Sequence, residues 1–264
     1  MDSLADITHL ILDMDGVLYR GKEPMPRLRE FFAFLRERRI NVMLMTNNAT
    51  RTPMERADQL AAMGAQVSPA EILVSGQAVA RYLRRDYPAG TRVHVFGMPA
   101  LRQALIEEGF IIADDDVKVV VTSVDRKVNF EKIKIASRLL LGGARFIATN
   151  LDPNIPSEDG LLPGTGAMVA MLAAASGVTP TGVGKPEPIM YELAMAQMNA
   201  RPETTAAVGD RAMTDIVGGK RAGITTICVL SGASDRAEAE AAGADFIFDD
   251  IGHLLDAWRA ALPD

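Results

Sequence analysis

The sequence contains a single cysteine, Cys228, and only three histidines among its 264 residues. One cysteine cannot form a disulfide within the chain, and the apolar run at residues 227–230 is the setting of a small core residue. Structural zinc sites draw their ligands chiefly from several cysteines and histidines. The composition therefore argues against a disulfide scaffold and against a zinc protein, and it suits a reducing compartment.

The sequence also lacks a long hydrophobic run and an excess of basic residues. The apolar stretch at residues 167–175 is far shorter than the roughly 20 residues of a membrane-spanning helix. Residues 1–6 show no basic segment leading into an apolar one, the pattern of a signal peptide. The net charge of −6 disfavours nucleic acid and anionic membranes as partners. We therefore expect a cytoplasmic protein.

What the sequence does contain is an alternation of strands and helices at both of its ends. Four apolar runs predict buried parallel strands: residues 9–12, 40–45, 205–208 and 224–230. Helical patterns separate them, such as the apolar stripe over residues 28–35. This alternation predicts an α/β fold with a Rossmann-like parallel sheet. Because ligands bind such sheets at the carboxyl ends of the strands, Asp13, Thr46 and Asp210 are expected to share a site.

The middle of the chain repeats the alternation with elements of its own. Predicted strands lie at residues 93–96, 117–121 and 145–148, and predicted helices at residues 101–108, 131–141 and 168–176. We expect residues 78–180 to form a second α/β domain. It would be inserted into a discontinuous core domain made of residues 1–77 and 181–264.

The sharpest chemical signal is the pair of acids Asp13 and Asp15, which follows the first predicted strand. Two like charges so close repel each other unless a cation neutralises them. Mg²⁺ suits this position because it prefers carboxylate oxygens as ligands. A turn whose acids face solvent explains the pair equally well, so both interpretations stay open at this point.

Two further segments offer groups that bind phosphate. Thr46, Asn47 and Asn48 present a hydroxyl and two amides at a strand end. Lys185, held between a glycine and a proline, can neutralise phosphate or carboxylate charge. Each has a plainer alternative, an asparagine-rich turn in one case and a surface lysine in the other. Neither segment alone identifies a phosphate site.

The segment 209–215 supplies two more acids. Asp210 ends a predicted strand, and Asp215 lies at the start of a helix predicted over residues 214–222. One acid can reach a metal directly while the other supports the ligands around it. The alternative is a helix start that Thr214 or Asp215 caps.

Together and in this order, the four segments resemble the signature of the haloacid dehalogenase-like (HAD) superfamily: DxD, then Thr or Ser, then Lys, then GDxxxTD. The resemblance extends over essentially the whole chain and implies a HAD core with an inserted α/β cap of the C2 type. Segments 149–152, 163–167 and 183–188 resemble subfamily IIA, which includes the NagD-like and para-nitrophenyl phosphatase-like proteins.

The resemblance implies a Mg²⁺-dependent phosphatase with an aspartyl-phosphate intermediate. Asp13 would be the nucleophile, and Asp15 would protonate the leaving group and then activate water. The metal would be held by the Asp13 side chain, the Asp15 carbonyl and Asp210, with Asp215 in support. Mn²⁺ is an alternative because its oxygen preference overlaps that of Mg²⁺. The residues expected at the phosphoryl oxygens are Thr46, Asn47, Asn48 and Lys185.

The resemblance leaves the substrate open among a sugar phosphate, a nucleotide or a similar small metabolite. The cap is expected to close over the site and to recognise the leaving group through residues 150–157. Ile155 stands where pyridoxal phosphate phosphatases carry a substrate-contacting histidine, which weakens that substrate. A phosphotransferase and a non-catalytic protein that binds a phosphorylated metabolite stay as alternatives. Cap surfaces could pair in a homodimer, although no apolar stripe demands it.

Overall fold

A computed structural model of the chain describes residues 3–157 and 160–262. Fifteen strands lie within these residues: β1 (His9–Leu12), β2 (Tyr19–Arg20), β3 (Glu23–Pro24), β4 (Asn41–Thr46), β5 (Ile72–Val74), β6 (Arg92–Phe96), β7 (Ile111–Ile112), β8 (Val119–Thr122), β9 (Arg145–Ala148), β10 (Asn154–Ser157), β11 (Gly160–Pro163), β12 (Thr181–Gly182), β13 (Thr205–Gly209), β14 (Thr225–Val229) and β15 (Phe246–Phe248).

Ten α-helices accompany them: α1 (Leu28–Glu37), α2 (Pro53–Ala62), α3 (Ser75–Arg84), α4 (Pro99–Glu107), α5 (Phe130–Leu141), α6 (Thr165–Ser176), α7 (Ile189–Met198), α8 (Val217–Arg221), α9 (Arg236–Ala241) and α10 (Ile251–Ala261). Short 3₁₀ turns lie at Leu4–Asp6, Pro69–Glu71 and Pro202–Thr204, and a π-helix spans Ala212–Ile216. None of the helices in the described residues is long and apolar enough to cross a membrane.

The chain divides into two compact units. The first comprises Met1–Thr46, Pro53–Leu73 and Lys185–Asp264, and the second comprises Asn47–Thr52 and Val74–Gly184. The sequence predicts domain boundaries at 77/78 and 180/181. These boundaries refer to independently folding domains, which a division into compact units does not test, so they stay a prediction.

The first unit is organised by a six-stranded sheet in the order β15-β14-β13-β1-β4-β5. Strands β14, β13, β1 and β4 pair in parallel, and their residues are almost all buried. Near-continuous apolar runs are the composition of strands covered on both faces, which confirms the α/β prediction. Leu12 is in register with Leu44 and with Val208, so the carboxyl ends of β1, β4 and β13 lie level with one another.

The segment after β13 differs from the prediction. We expected one helix over residues 214–222, whereas the structure has the π-helix Ala212–Ile216 followed by α8. Asp215 is not the N-cap residue of this helix, because the helix begins after Arg211. Its Oδ2 accepts a hydrogen bond from the backbone N–H of Arg211, which comes before it in the chain, at 3.1 Å. π-helical turns are rare and occur often at functional sites.

The second unit has its own parallel sheet of five strands, in the order β12-β9-β8-β6-β7. Helices α5 and α6 cover one face, where Val120 and Phe146 pack against Ala136, Leu140 and Leu172. The predicted strands and helices of this region are present with shifts of a few residues. The helix α3 and the antiparallel hairpin β10–β11 were not predicted.

The packing of α10 on α1 provides a test of the first unit's core. Trp258 is 1% exposed, and its ring lies 5.8 Å from that of Phe34 in an edge-to-face arrangement. Replacement of a buried tryptophan leaves a large cavity, so Trp258→Ala should lower the free energy of unfolding by about 3–5 kcal/mol. Urea denaturation followed by circular dichroism measures this change.

The control is Met54→Ala, because Met54 is 59% exposed in the same unit. Its expected effect is within about 0.5 kcal/mol. A Trp258→Ala protein as stable as the control would contradict the packing described for α1 and α10.

Candidate active site

Asp13 extends β1 by one residue at the carboxyl edge of the sheet. Its backbone N–H donates to the carbonyl of Val208 at 2.9 Å, which continues the parallel pairing with β13. The chain then turns through Gly16, whose φ of +83° is accessible chiefly to glycine. A Cβ at Gly16 would lie 2.3 Å from Oδ2 of Asp210. The glycine therefore allows the two acidic segments to approach each other closely.

Lys185 lies between two of the predicted acids. Its Nζ donates to Oδ1 of Asp13 at 2.5 Å and to Oδ1 of Asp215 at 2.6 Å, and its side chain is 4% exposed. Burial alone would lower the pKa of Lys185, but the charges of Asp13 and Asp215 outweigh it and hold that pKa well above its usual range. Lys185 is therefore a buried cation and not a surface lysine.

Asp210 joins this group from the end of β13. Its Oδ2 accepts the backbone N–H of Ala233 at 2.8 Å. A Cβ at Gly232 would lie 1.9 Å from the same oxygen, so a glycine is needed there. Burial raises the pKa of Asp210 to about 6, and the nearby charge of Asp215 acts in the same direction. Burial likewise raises the pKa of Asp13 well above its usual range, although Lys185 opposes the shift.

The three acids form a group that can hold a metal ion. Carboxylate oxygens of Asp13, Asp210 and Asp215 all lie within 4.8 Å of one another. Ligands at the Mg²⁺–oxygen distance of about 2.0–2.1 Å stand at most about 4.2 Å apart, so a small contraction would bring the three oxygens around one ion. Three carboxylates against the one ammonium of Lys185 leave two negative charges, which a divalent cation balances. The residues present therefore fit Mg²⁺.

Asp15 has different surroundings. Its side chain is exposed and is not one of the three grouped acids. The hydroxyl of Tyr19 donates to its Oδ2 at 3.5 Å, and Nη1 of Arg56 donates to the same hydroxyl at 3.1 Å. Sequence reasoning missed both residues. The sequence signal that could have identified Arg56 is a basic residue within the helical apolar pattern that includes Ala57 and Leu60.

Tyr191 is a third residue that the sequence analysis missed. Its side chain is 1% exposed, and its hydroxyl donates to the backbone carbonyl of Asp215 at 3.0 Å. A Cβ at Gly218 would lie 2.6 Å from the Tyr191 ring. Tyr191 and Gly218 thus support the π-helix that contains Asp215.

The predicted phosphate-binding residues fall in both units. Thr46 is the last residue of β4 and is buried, at the same sheet edge as Asp13. Asn47 and Asn48 belong to the second unit, where the Asn47 amide donates to Oδ2 of Asp152 at 3.0 Å and Asn48 Oδ1 accepts from the Thr50 hydroxyl at 2.6 Å. Their role toward phosphate, like the metal role of the Asp15 carbonyl, stays a prediction.

Comparison with known proteins finds matching family models and similar phosphatases. The model of the haloacid dehalogenase-like hydrolases matches residues 10–111, and a second HAD-like hydrolase model matches residues 182–254. A dihydroxyacetone phosphatase from Corynebacterium glutamicum (strain R) is 37% identical over 94% of this chain and 90% of its own length.

Solved structures give the same result. NagD from E. coli K-12 is 33% identical, with a TM-score of 0.87 over 93% of this chain and 97% of its own. A glycerol phosphate phosphatase from Mycobacterium tuberculosis, in complex with magnesium, is 30% identical, with a TM-score of 0.91 over 100% of this chain and 82% of its own.

The acidic group predicts how metal affinity responds to substitution. Asp210→Asn removes one of the three negative charges and should weaken Mg²⁺ binding by roughly 10–100-fold. Isothermal titration calorimetry on the folded protein measures the dissociation constant directly.

Asp245→Asn is the matched control, because Asp245 also pairs with a lysine, Lys220, at 2.5 Å but lies at the amino end of β15. Its Mg²⁺ affinity should equal that of the unmodified protein. An unchanged affinity in Asp210→Asn would show that the ion, if bound, lies elsewhere.

Proposed function

The chain belongs to the haloacid dehalogenase-like hydrolase family, and from that premise we propose that it is a Mg²⁺-dependent phosphatase of small phosphate monoesters. Its likeness to NagD agrees with subfamily IIA. The observation that carries the proposal is the position of Asp13, a carboxylate at a strand end whose side chain is 12% exposed, 2.5 Å from the Lys185 ammonium and grouped with Asp210 and Asp215. Such a carboxylate is suited to covalent catalysis on an anionic substrate.

In the proposed reaction, a carboxylate oxygen of Asp13 attacks phosphorus while the bond from phosphorus to the ester oxygen breaks. The leaving alkoxide takes a proton from Asp15. Water then attacks the aspartyl-phosphate, Asp15 takes a proton from that water, and inorganic phosphate leaves with the Asp13 carboxylate restored. Each proton that Asp15 gives is therefore returned to it within one turnover.

Lys185 has two tasks in this scheme. It holds the Asp13 carboxylate through Oδ1, and its positive charge offsets the repulsion between that carboxylate and the approaching phosphoryl group. Mg²⁺, held by Asp13, Asp210 and the Asp15 carbonyl with Asp215 in support, would supply further screening of the phosphoryl charge. Thr46, Asn47 and Asn48 are proposed as donors to the phosphoryl oxygens.

The substrate class follows from the relatives. One relative is named a dihydroxyacetone phosphatase, several are named acid sugar phosphatases and one a glycerol phosphate phosphatase, against one named a 5'-nucleotidase. We therefore place small sugar and polyol phosphates ahead of nucleotides. Mn²⁺ in place of Mg²⁺, a homodimeric assembly and a cytoplasmic location remain predictions from the sequence.

A panel of phosphate esters tests the class of reaction. With Mg²⁺ present, phosphate should be released from small sugar and polyol phosphates, and a chelator should abolish the release. Asp13→Asn should lower kcat/KM by at least about 1000-fold, because no nucleophile replaces the carboxylate. The Asp245→Asn protein should retain full activity.

Two other outcomes would favour a different function. No release on any ester, from folded protein with Mg²⁺ bound, would favour a non-catalytic binding protein. Appearance of the phosphoryl group on an added alcohol or sugar, in place of inorganic phosphate, would identify a phosphotransferase.

A further inference from the structure

Arg56 is a buried cation that the proposed mechanism leaves without a task. The residue lies in the first turn of α2 and is 4% exposed. Its hydrogen bonds run to neutral oxygens, the Tyr19 hydroxyl at 3.1 Å and Oε1 of Gln59 at 3.2 Å. Nε and Nη2 have no hydrogen-bond partner among residues 3–157 and 160–262. A buried charge that bonds only neutral oxygens costs stability. If the residue served packing alone, an apolar side chain of similar size would give a more stable protein.

The chemistry of the guanidinium sets the direction of the hydrogen bonds that follow. Arginine has only donors, so the Tyr19 oxygen must accept from Arg56. The hydroxyl then donates its own proton to Oδ2 of Asp15, at 3.5 Å. A hydroxyl that accepts from a cation is a stronger donor in turn. The 3.5 Å separation is long, as is common for catalytic hydrogen bonds before a substrate binds.

The backbone holds Tyr19 at this position. The N–H of Gly16 donates to the carbonyl of Tyr19 at 2.8 Å, and the N–H of Leu18 donates to the carbonyl of Met14 at 2.9 Å. These bonds fold residues 14–19 into a closed turn, and the Tyr19 side chain is 1% exposed within it. The backbone bonds thus fix the Tyr19 main chain, and Arg56 fixes its hydroxyl. Asp15, in contrast, has an exposed side chain that needs a partner to favour one rotamer.

We propose that Tyr19 and Arg56 are positioning residues for Asp15. Arg56 directs the Tyr19 hydroxyl, and the hydroxyl engages Oδ2, which leaves Oδ1 of Asp15 to give its proton to the leaving group. The inference rests on the proposed phosphatase function. It assigns to the pair the proton-transfer step alone, not metal binding and not the attack by Asp13.

Leaving groups of different basicity separate this role from a general structural one. An alkyl phosphate such as glycerol phosphate must release a strongly basic alkoxide and depends on proton transfer, whereas 4-nitrophenyl phosphate releases a stable phenolate. Tyr19→Phe and Arg56→Met should lower kcat/KM for the best alkyl ester by roughly 10–100-fold. The loss with 4-nitrophenyl phosphate should be less than about threefold.

Two further measurements sharpen the test. Arg56→Lys keeps a donor cation and should recover part of the alkyl-ester activity that Arg56→Met loses. In an Asp15→Asn background, Tyr19→Phe should cause no further loss with the alkyl ester, because two residues that act through one group are not additive.

Tyr82→Phe is the matched control. Tyr82 also pairs with an arginine, since Nη2 of Arg145 donates to its hydroxyl at 2.7 Å, but both residues belong to the second unit, whereas Asp15, Tyr19 and Arg56 belong to the first. Its activity on both esters should be unchanged. Circular dichroism and thermal unfolding confirm that each variant is folded.

An equal loss on both esters in folded Tyr19→Phe and Arg56→Met proteins would overturn the proposal and leave a structural role. Unchanged activity on the alkyl ester would overturn it as well. Both outcomes leave the phosphatase function intact, whereas an unmodified protein that releases phosphate from no ester would refute the proposed function itself.

Discussion

The site depends on the ammonium of Lys185 between the carboxylates of Asp13 and Asp215. Without that charge, the carboxyl edge of the sheet would bring three acids together in a buried position, and their repulsion would oppose folding. The ammonium balances one of the three charges, and the two that remain define a place for a divalent cation. The close packing of the acids also requires a glycine at position 209, because a Cβ at Gly209 would lie 2.1 Å from the Cβ of Asp215.

Much of this arrangement could be predicted because it follows from strand ends. The apolar runs that become β1 and β13 are continuous, so both predicted strands match the structure within a residue, and Asp13 and Asp210 follow directly after them. Parallel pairing then brings both acids to one edge. Lys185 was predicted to neutralise phosphate or carboxylate charge, although its burial between Asp13 and Asp215 could not be derived from the segment that contains it.

The parts that could not be predicted depend on long-range packing. The π-helix at Ala212–Ile216 has no distinctive sequence pattern, and it arises where Tyr191, from α7, bonds the Asp215 carbonyl. The contact of Arg56 with Tyr19 joins residues 37 positions apart. A basic residue in an amphipathic helix is normally assigned to the exposed face. Only the folded chain shows that Arg56 is buried and that it reaches Asp15 through the Tyr19 hydroxyl.

The proposed mechanism requires that Asp13 forms a covalent bond to phosphorus. Acid quenching of the enzyme during turnover of a substrate with radioactive phosphorus, followed by peptide mapping, tests it most directly. Label is expected on the peptide that contains Asp13, with more label in an Asp15→Asn protein because hydrolysis of the intermediate is slowed. Steady phosphate release without label on that peptide, or label on another residue, would contradict it.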